Sequence, residues 1–203
     1  ALTEGRVDRL LGNTSLEWWR KENTQTAFKA GGILEGSQYG ASMAIRKDWP
    51  ELIAILNKGL NSITPEEHSR IRDRWLGDDK PTPEQRLLIE LTVEERLWLA
   101  EHPVIRYAVD PDRAPIEYIG KEGHPTGMTS DYLERLRKLL GVRFEAVPLA
   151  TWAGALQSLD SGEIDLLPSM AQTTNRMQRF RFTAPYLAFP VAIFAPGDAP
   201  FLG

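Results

Sequence analysis

VIRYAVDPDRAPIEYIGKEGHPTGMTSDYLERLRKLLGVRFEAVPLATWAGALQSLDSGEIDLL, residues 104–167, is the stretch on which the fold turns. Short apolar runs rich in β-branched residues alternate in it with stretches of helical spacing. Strands are expected at 104–109, 116–119, 143–147 and 164–167, and helices at 128–140 and 152–159. Tyr132, Leu133, Leu136, Leu139 and Leu140 give the first helix one apolar stripe, and Gly141 supplies its C-cap. Strands alternating with helices of this length imply right-handed β-α-β units, hence an α/β fold with a mainly parallel sheet flanked by helices. Ligands of such sheets bind beyond the carboxyl ends of the strands, here the segments after Val109 and after Leu167.

Upstream of this stretch the helix signals are explicit. Thr92-Val93-Glu94-Glu95 opens a capped helix that His102-Pro103 ends, because the residue before proline is pushed out of the α region. Thr64-Pro65-Glu66-Glu67 is a capping box with proline at the first helical position, and that helix should stop at Gly77. Asp48-Trp49-Pro50-Glu51 places a capping side chain ahead of Leu52, Ile53, Ile55, Leu56 and Leu60. Residues 78–83 are charged and proline-bearing and read as a linker at a domain boundary. Further back, a glycine-rich loop from Gly31 to Gly36 leads to a strand at 39–45, residues 15–22 look helical, and Leu10-Leu11 form a short strand with nothing before it to pair with.

Composition excludes several classes of function. With 42% apolar and 26% charged residues in 203, the chain is expected to fold. A net charge of -4 gives a nucleic-acid partner or an acidic membrane surface no electrostatic support, and the absence of cysteine removes disulfides and thiolate chemistry. His68, His102 and His124 are scattered without ligand spacing, so neither a metal nor a cofactor is expected. There is no phosphate-binding glycine loop and no Gly-x-Ser-x-Gly elbow. Glu117 and Asp112 could be taken as paired carboxylates, but acids in a hairpin are usually at the surface, and that is expected of both.

Several motifs, in their order and spacing, resemble the type II periplasmic solute-binding fold of the family 3 extracellular proteins. They are Val109-Asp110-Pro111-Asp112 with Ala114-Pro115-Ile116-Glu117-Tyr118, Gly127 before the helix with Asp131, Trp152 ahead of Leu156, Gly162-Glu163-Ile164-Asp165-Leu166-Leu167-Pro168, Thr173 to Arg176, and Phe182-Thr183-Ala184-Pro185-Tyr186. The resemblance is greatest to the tandem Venus-flytrap modules that precede the membrane segment of bacterial hybrid sensor histidine kinases. Gly5-Arg6-Val7-Asp8, Arg46-Lys47-Asp48-Trp49-Pro50 and Arg74-Trp75-Leu76 look like the closing third of such a module, so the tail comes before the head. The resemblance implies that residues 1–77 end a first module, 78–102 form a linker and joining helix, and 103–203 are the first lobe of a second module. Helices 48–76 would then pack on that lobe in permuted order. Residues 1–38 would lack partner strands, which implies self-association, such as a homodimer through the incomplete lobe, or disorder.

The same resemblance nominates site residues. Arg176, after Thr173, would grip a ligand carboxylate with its planar fork, Asp110 would receive an ammonium group, and Trp152 would pack its ring on the ligand. Simpler roles stand beside these: Asp110 capping the Pro111 turn, Trp152 in the core, and Arg179 and Arg181 as a solvated edge. Arg113 occupies the position of the family's first-loop aromatic, and Ile116 another that is often aromatic. Asn13 stands where many relatives carry a carboxylate. These departures point away from an ordinary amino acid and toward an anion or no ligand. Ser169 and Gln172 lie in the loop expected to face the cleft. The implied function is that of a sensory solute-binding region on the periplasmic side of the inner membrane, in a membrane-anchored parent. The fragment itself would not be an enzyme. Its ligand would be an amino acid, a carboxylate or another anion, or none. A transport receptor and a dehydratase-like enzyme of the same fold are the alternatives.

Overall fold

The structure is a computed structural model that describes residues 6–12, 16, 18–19, 28–76 and 89–196. The chain divides into two compact units, one of residues 41–186 and one of residues 1–40 with 187–203.

In the larger unit the capping signals act much as the sequence predicts. Helix α1 spans Pro50–Asn61, α2 Pro65–Leu76 and α3 Val93–Glu101. Thr64 and Glu67 close a reciprocal box at the start of α2, and Thr92 and Glu95 do the same for α3. Asp48 does not cap α1. Its carboxylate takes both arms of the Arg46 guanidinium at 2.7 Å, and Trp49 is the N-cap without a side-chain bond. A bidentate charged pair outcompetes a single backbone N–H.

Strands β3 (Val104–Tyr107), β7 (Arg143–Ala146) and β8 (Leu166–Met170) form the parallel centre of the sheet, with β3 between the other two. The end of strand β2 (Phe28–Ile45) lies antiparallel to β8, pairing Ser42 with Met170 and Ile45 with Leu166. Its other side takes strand β9 (Arg181–Phe182). Residues 41–45, ASMAI, are wholly buried, as an unbroken run of small and apolar side chains permits. A small antiparallel sheet of β4 (Asp112–Arg113), β5 (Glu117–Ile119) and β6 (Pro125–Thr126) stands beside the main one. Helices α4 (Met128–Leu140), α5 (Trp152–Ser161) and α6 (Thr174–Arg179) complete the unit, and Gly141 ends α4 in the left-handed conformation expected of it.

Helices α1 and α2 pack against α4, and α3 against α1. Gly59 permits the first contact, since a Cβ there would meet Leu136 Cδ2 at 2.5 Å. The joining helix α3 is fastened at both ends. Lys58 pairs with Glu95 at 2.7 Å, while Trp98 stacks on His102 and both rings meet Trp49 edge-on. Gly127, at the entry to α4, has φ 121°, and a Cβ would lie 2.6 Å from the Ile116 carbonyl oxygen. Backbone cannot yield as a flexible side chain can. Gly127→Ala is expected to cost about 1–3 kcal/mol, read as a lowered urea midpoint, and an unchanged midpoint would refute the close approach.

In the smaller unit, strand β1 (Leu10–Gly12) pairs antiparallel with strand β10 (Leu187–Pro196), Leu10 opposite Phe194 and Gly12 opposite Ala192. Phe194 is buried against Leu16 and Ala192. The expected shortage of partners for Leu10-Leu11 is therefore corrected: the same chain supplies the strand from far along the sequence. The glycine-rich segment is likewise not a loop, since β2 already begins at Phe28. Glycine keeps the N–H and C=O that a ladder needs even where it offers no side chain to pack. Leu16, Trp18 and Trp19 are helical, and the rest of 15–22, Asn13 and the 78–83 linker lie outside the described residues.

Candidate functional site

Strand β3 leads through the buried Ala108 and Val109 to Asp110, and β8 runs on to Met170, so that Ser169, expected in the loop, is instead a fully buried residue of the strand; residues 171–173 and α6 follow. The segments expected to carry a site thus leave neighbouring parallel strands at the same end of the sheet, where backbone direction concentrates side chains that are free to serve a ligand. Two groups of nominated residues form there, joined through the 169–173 segment.

The first group gathers around Arg113. Its Nη1 donates to the Ser169 carbonyl at 3.0 Å and lies 3.8 Å from Glu117 Oε1. Asp110 N donates to the same Oε1 at 3.2 Å, while the Asp110 carboxylate accepts from Asp112 N at 3.2 Å. The Asp110 side chain is thus engaged in the local turn, as its simpler role requires. In the second group Thr173 caps α6 by accepting from Arg176 N. Arg176 Nη1 donates to the Ala171 carbonyl at 3.1 Å, and its guanidinium carbon stands 5.8 Å from the centre of the Trp152 ring. Trp152 also packs against the core cluster containing Ala155, Leu159 and Phe180. Gln172 is turned toward β2, its Nε2 donating to Ser42 Oγ at 3.0 Å and to the Thr183 carbonyl at 3.1 Å.

Glu117 is the residue that the sequence misplaces. The hairpin acid expected at the surface has 0% exposure, whereas Asp112 is exposed as anticipated. Its Oε2 has no hydrogen-bond partner among the described residues, and neither has the buried Ser169 Oγ. Desolvation pushes the Glu117 carboxyl up to about 8, against the opposing pull of Arg113 and the Asp110 N–H bond. No spacing in the sequence announces this, because the burial comes from the fold around a strand of only three residues.

Elsewhere in the larger unit, His68 Nδ1 meets Tyr132 Oη, and burial holds the imidazole below its usual range. A cavity of about 150 Å³ beside it, lined in part by Asn57, Asn61 and Tyr186, is smaller than pockets that take metabolites, typically about 300–1,000 Å³. Among the described residues no cluster of histidines and acids could hold a metal ion, and no helix is long and apolar enough to cross a membrane.

Residues 105–202 match the family model of bacterial extracellular solute-binding proteins, family 3. The chain is 28% identical over 174 residues to the virulence sensor protein BvgS of Bordetella pertussis, covering 80% of this chain and 14% of that protein. It is 24% identical over 161 residues to the sensor protein EvgS of Escherichia coli, covering 76% of this chain and 13% of that protein. Among solved structures, the B. pertussis BvgS periplasmic domain aligns over 44% of this chain and 17% of its own, with 26% identity and a TM-score of 0.42. The chain thus spans about a seventh of the length of these curated relatives.

Proposed function

From the match of residues 105–202 to the family 3 bacterial extracellular solute-binding proteins we propose that the chain is a sensory region on the periplasmic side of a membrane-anchored signalling protein, a sensor histidine kinase. Residues 1–77 are the end of one solute-binding module, 78–102 the joint, and 103–203 the opening lobe of the next. The likeness to BvgS and EvgS, which runs across the joint and covers three quarters or more of the chain, supports this arrangement. The fragment binds rather than catalyses, and the kinase activity belongs to the parent.

The observation that carries the proposal is the placement of Arg113 and Arg176 in the segments that follow adjacent parallel strands, the second arginine beside the Trp152 ring. Two cations and an aromatic face at strand ends suit a small carboxylate or other anion. Binding biases a two-state equilibrium by no more than the solute's difference in affinity for the two states. Helix α3, tied to α1 by Lys58–Glu95 and to Trp49 by the Trp98 ring, is the element through which that bias would pass along the chain.

Thermal unfolding of the chain against a panel of amino acids, carboxylates and other small anions tests the proposal. A bound solute at a hundred times its Kd stabilises by about 2.7 kcal/mol, and the rise in Tm should vanish in Arg176→Ala. If no compound raises Tm, the region is a structural spacer and the solute site is withdrawn.

A further inference from the structure

We propose that the outer edge of strand β7 is a docking surface for a second copy of this chain: two β7 edges pair antiparallel about Phe144 and join their sheets into one. The inference stands apart from the solute site and does not depend on it.

Strand β7 ends the sheet. It pairs in parallel with β3 through residues 143–146, and among the described residues no strand lies on its other side. Arg143 N donates to the Pro103 carbonyl at 2.9 Å and Val147 N to the Tyr107 carbonyl at 2.8 Å. Alternation along a parallel ladder then turns the N–H and C=O of Phe144 and Ala146 outward, where they can serve another strand. The side chains alternate as well. Arg143 and Glu145 are exposed on one face, and Phe144 and Ala146 are half-buried on the other. Among the described residues neither the Arg143 nor the Glu145 side chain makes a hydrogen bond or an ion pair. Glu145 is the cross-strand neighbour of Arg106 and acts on it only through space, that guanidinium being held by Asp165 at 2.7 Å.

Charged side chains on an edge ordinarily keep strands apart. Here their signs choose a partner and a register. With a twofold axis through residue 144, Arg143 of each copy stands opposite Glu145 of the other in a non-hydrogen-bonded pair, where side chains approach most closely. Phe144 faces its own counterpart as a hydrogen-bonded pair, and each ring covers the open flank of the other. An axis through residue 143 would set arginine against arginine, and one through 145 glutamate against glutamate, and like charges directly opposite are destabilising. An axis through 146 would bring Phe144 opposite Pro148, which has no N–H to give, and one through 142 would reach back into α4. The edge is therefore self-complementary in one register, which is what an isologous contact between identical chains requires.

Sedimentation equilibrium of this chain at low salt reads the association, with loading from about 10 μM to about 1 mM because so short a ladder makes a small and weak interface. The wild type should dimerise within that range. Arg143→Glu and Glu145→Arg should each weaken the dimer about tenfold or more, since each reversal turns two attractive cross-strand pairs into two repulsive ones. An equimolar mixture of the two variants should recover the dimer, because the glutamates of one chain then face the arginines of the other. The double variant Arg143→Glu/Glu145→Arg keeps the net charge of the wild type and should recover the homodimer, which separates a local pairing from a general effect of charge. Recovery in the mixture also shows that both single variants are folded. A monomer throughout the range would overturn the inference, as would self-association that both single reversals leave unchanged or that the double variant fails to restore.

Discussion

Replacing Asp165 by alanine is expected to destabilise the 41–186 unit by about 3 kcal/mol, the lower end of the range for stripping one partner from a buried charge network. The carboxylate is 1% exposed and, from just ahead of β8, serves both β3 and the residue that follows β2. It accepts from Arg106 N at 2.8 Å, takes the Arg106 guanidinium on both oxygens at 3.0 and 2.7 Å, and accepts from Arg46 Nη1 at 3.2 Å. The neighbouring Gly162 carbonyl receives the same two arginines. Alanine would take from Arg106 its carboxylate partner, leaving that guanidinium the Gly162 carbonyl, would take from Arg46 the weaker of its two carboxylates, Asp48 remaining, and would leave the Arg106 backbone N–H without its acceptor. The arginines are 21% and 40% exposed, so water would recover part of their solvation, which places the cost near 3 rather than 5 kcal/mol. Asp165→Asn keeps the shape and one acceptor oxygen, so it should cost less. Urea denaturation at neutral pH separates these outcomes, and a loss below about 1 kcal/mol for alanine would mean that the network is mainly solvated surface charge.

The same residue illustrates what the sequence discloses and what it withholds. Asp165 stands in a recognisable motif, but nothing local reveals that its partners are Arg106, 59 positions away, and Arg46, 119 positions away. Signals confined to one turn are legible. The boxes at Thr64 and Thr92, and the stripe and left-handed cap of α4, depend on residues three or four apart, and the structure has all of them. Signals decided at a distance are not. Asp48 has the look of a helix cap until Arg46 claims it, and Leu10-Leu11 look unpartnered until a strand more than 180 residues later arrives beside them.

Among the nominated site residues the division is similar. Thr173 caps α6 as a threonine before a short helix should, and Trp152 and Arg176, 24 positions apart, stand close enough for a cation-π contact. Gln172 was expected to face the cleft simply because it lies in a loop. Its amide instead ties Ser42 to the Thr183 carbonyl, a connection that needs the antiparallel β2 to be in place. Glu117 is the clearest case, since acids are so rarely buried that the surface is the reasonable expectation for any single one. Only the stacking of β5 between β4, β6 and α4 overrides it.

That burial carries the second large effect. In the unfolded chain Glu117 ionises near its ordinary 4.5, and in the folded chain near 8. Below the lower value both states hold the proton and its contribution to stability is fully present. As pH rises through the window the unfolded state releases the proton first, and the contribution is lost progressively until the folded value is passed. A separation of this size corresponds to a loss on the order of 5 kcal/mol between about pH 4.5 and pH 8. Glu117→Gln has nothing to titrate at this position and keeps an oxygen for the Asp110 N–H, so its stability should gain on the wild type steadily over the same window. Groups that titrate in both proteins, His68 among them, cancel in the difference. Urea midpoints of the two proteins, taken at half-unit steps of pH without added solute, therefore isolate one carboxyl. A difference that stays level within about 1 kcal/mol would show that Glu117 reaches solvent or a closer cation when folded.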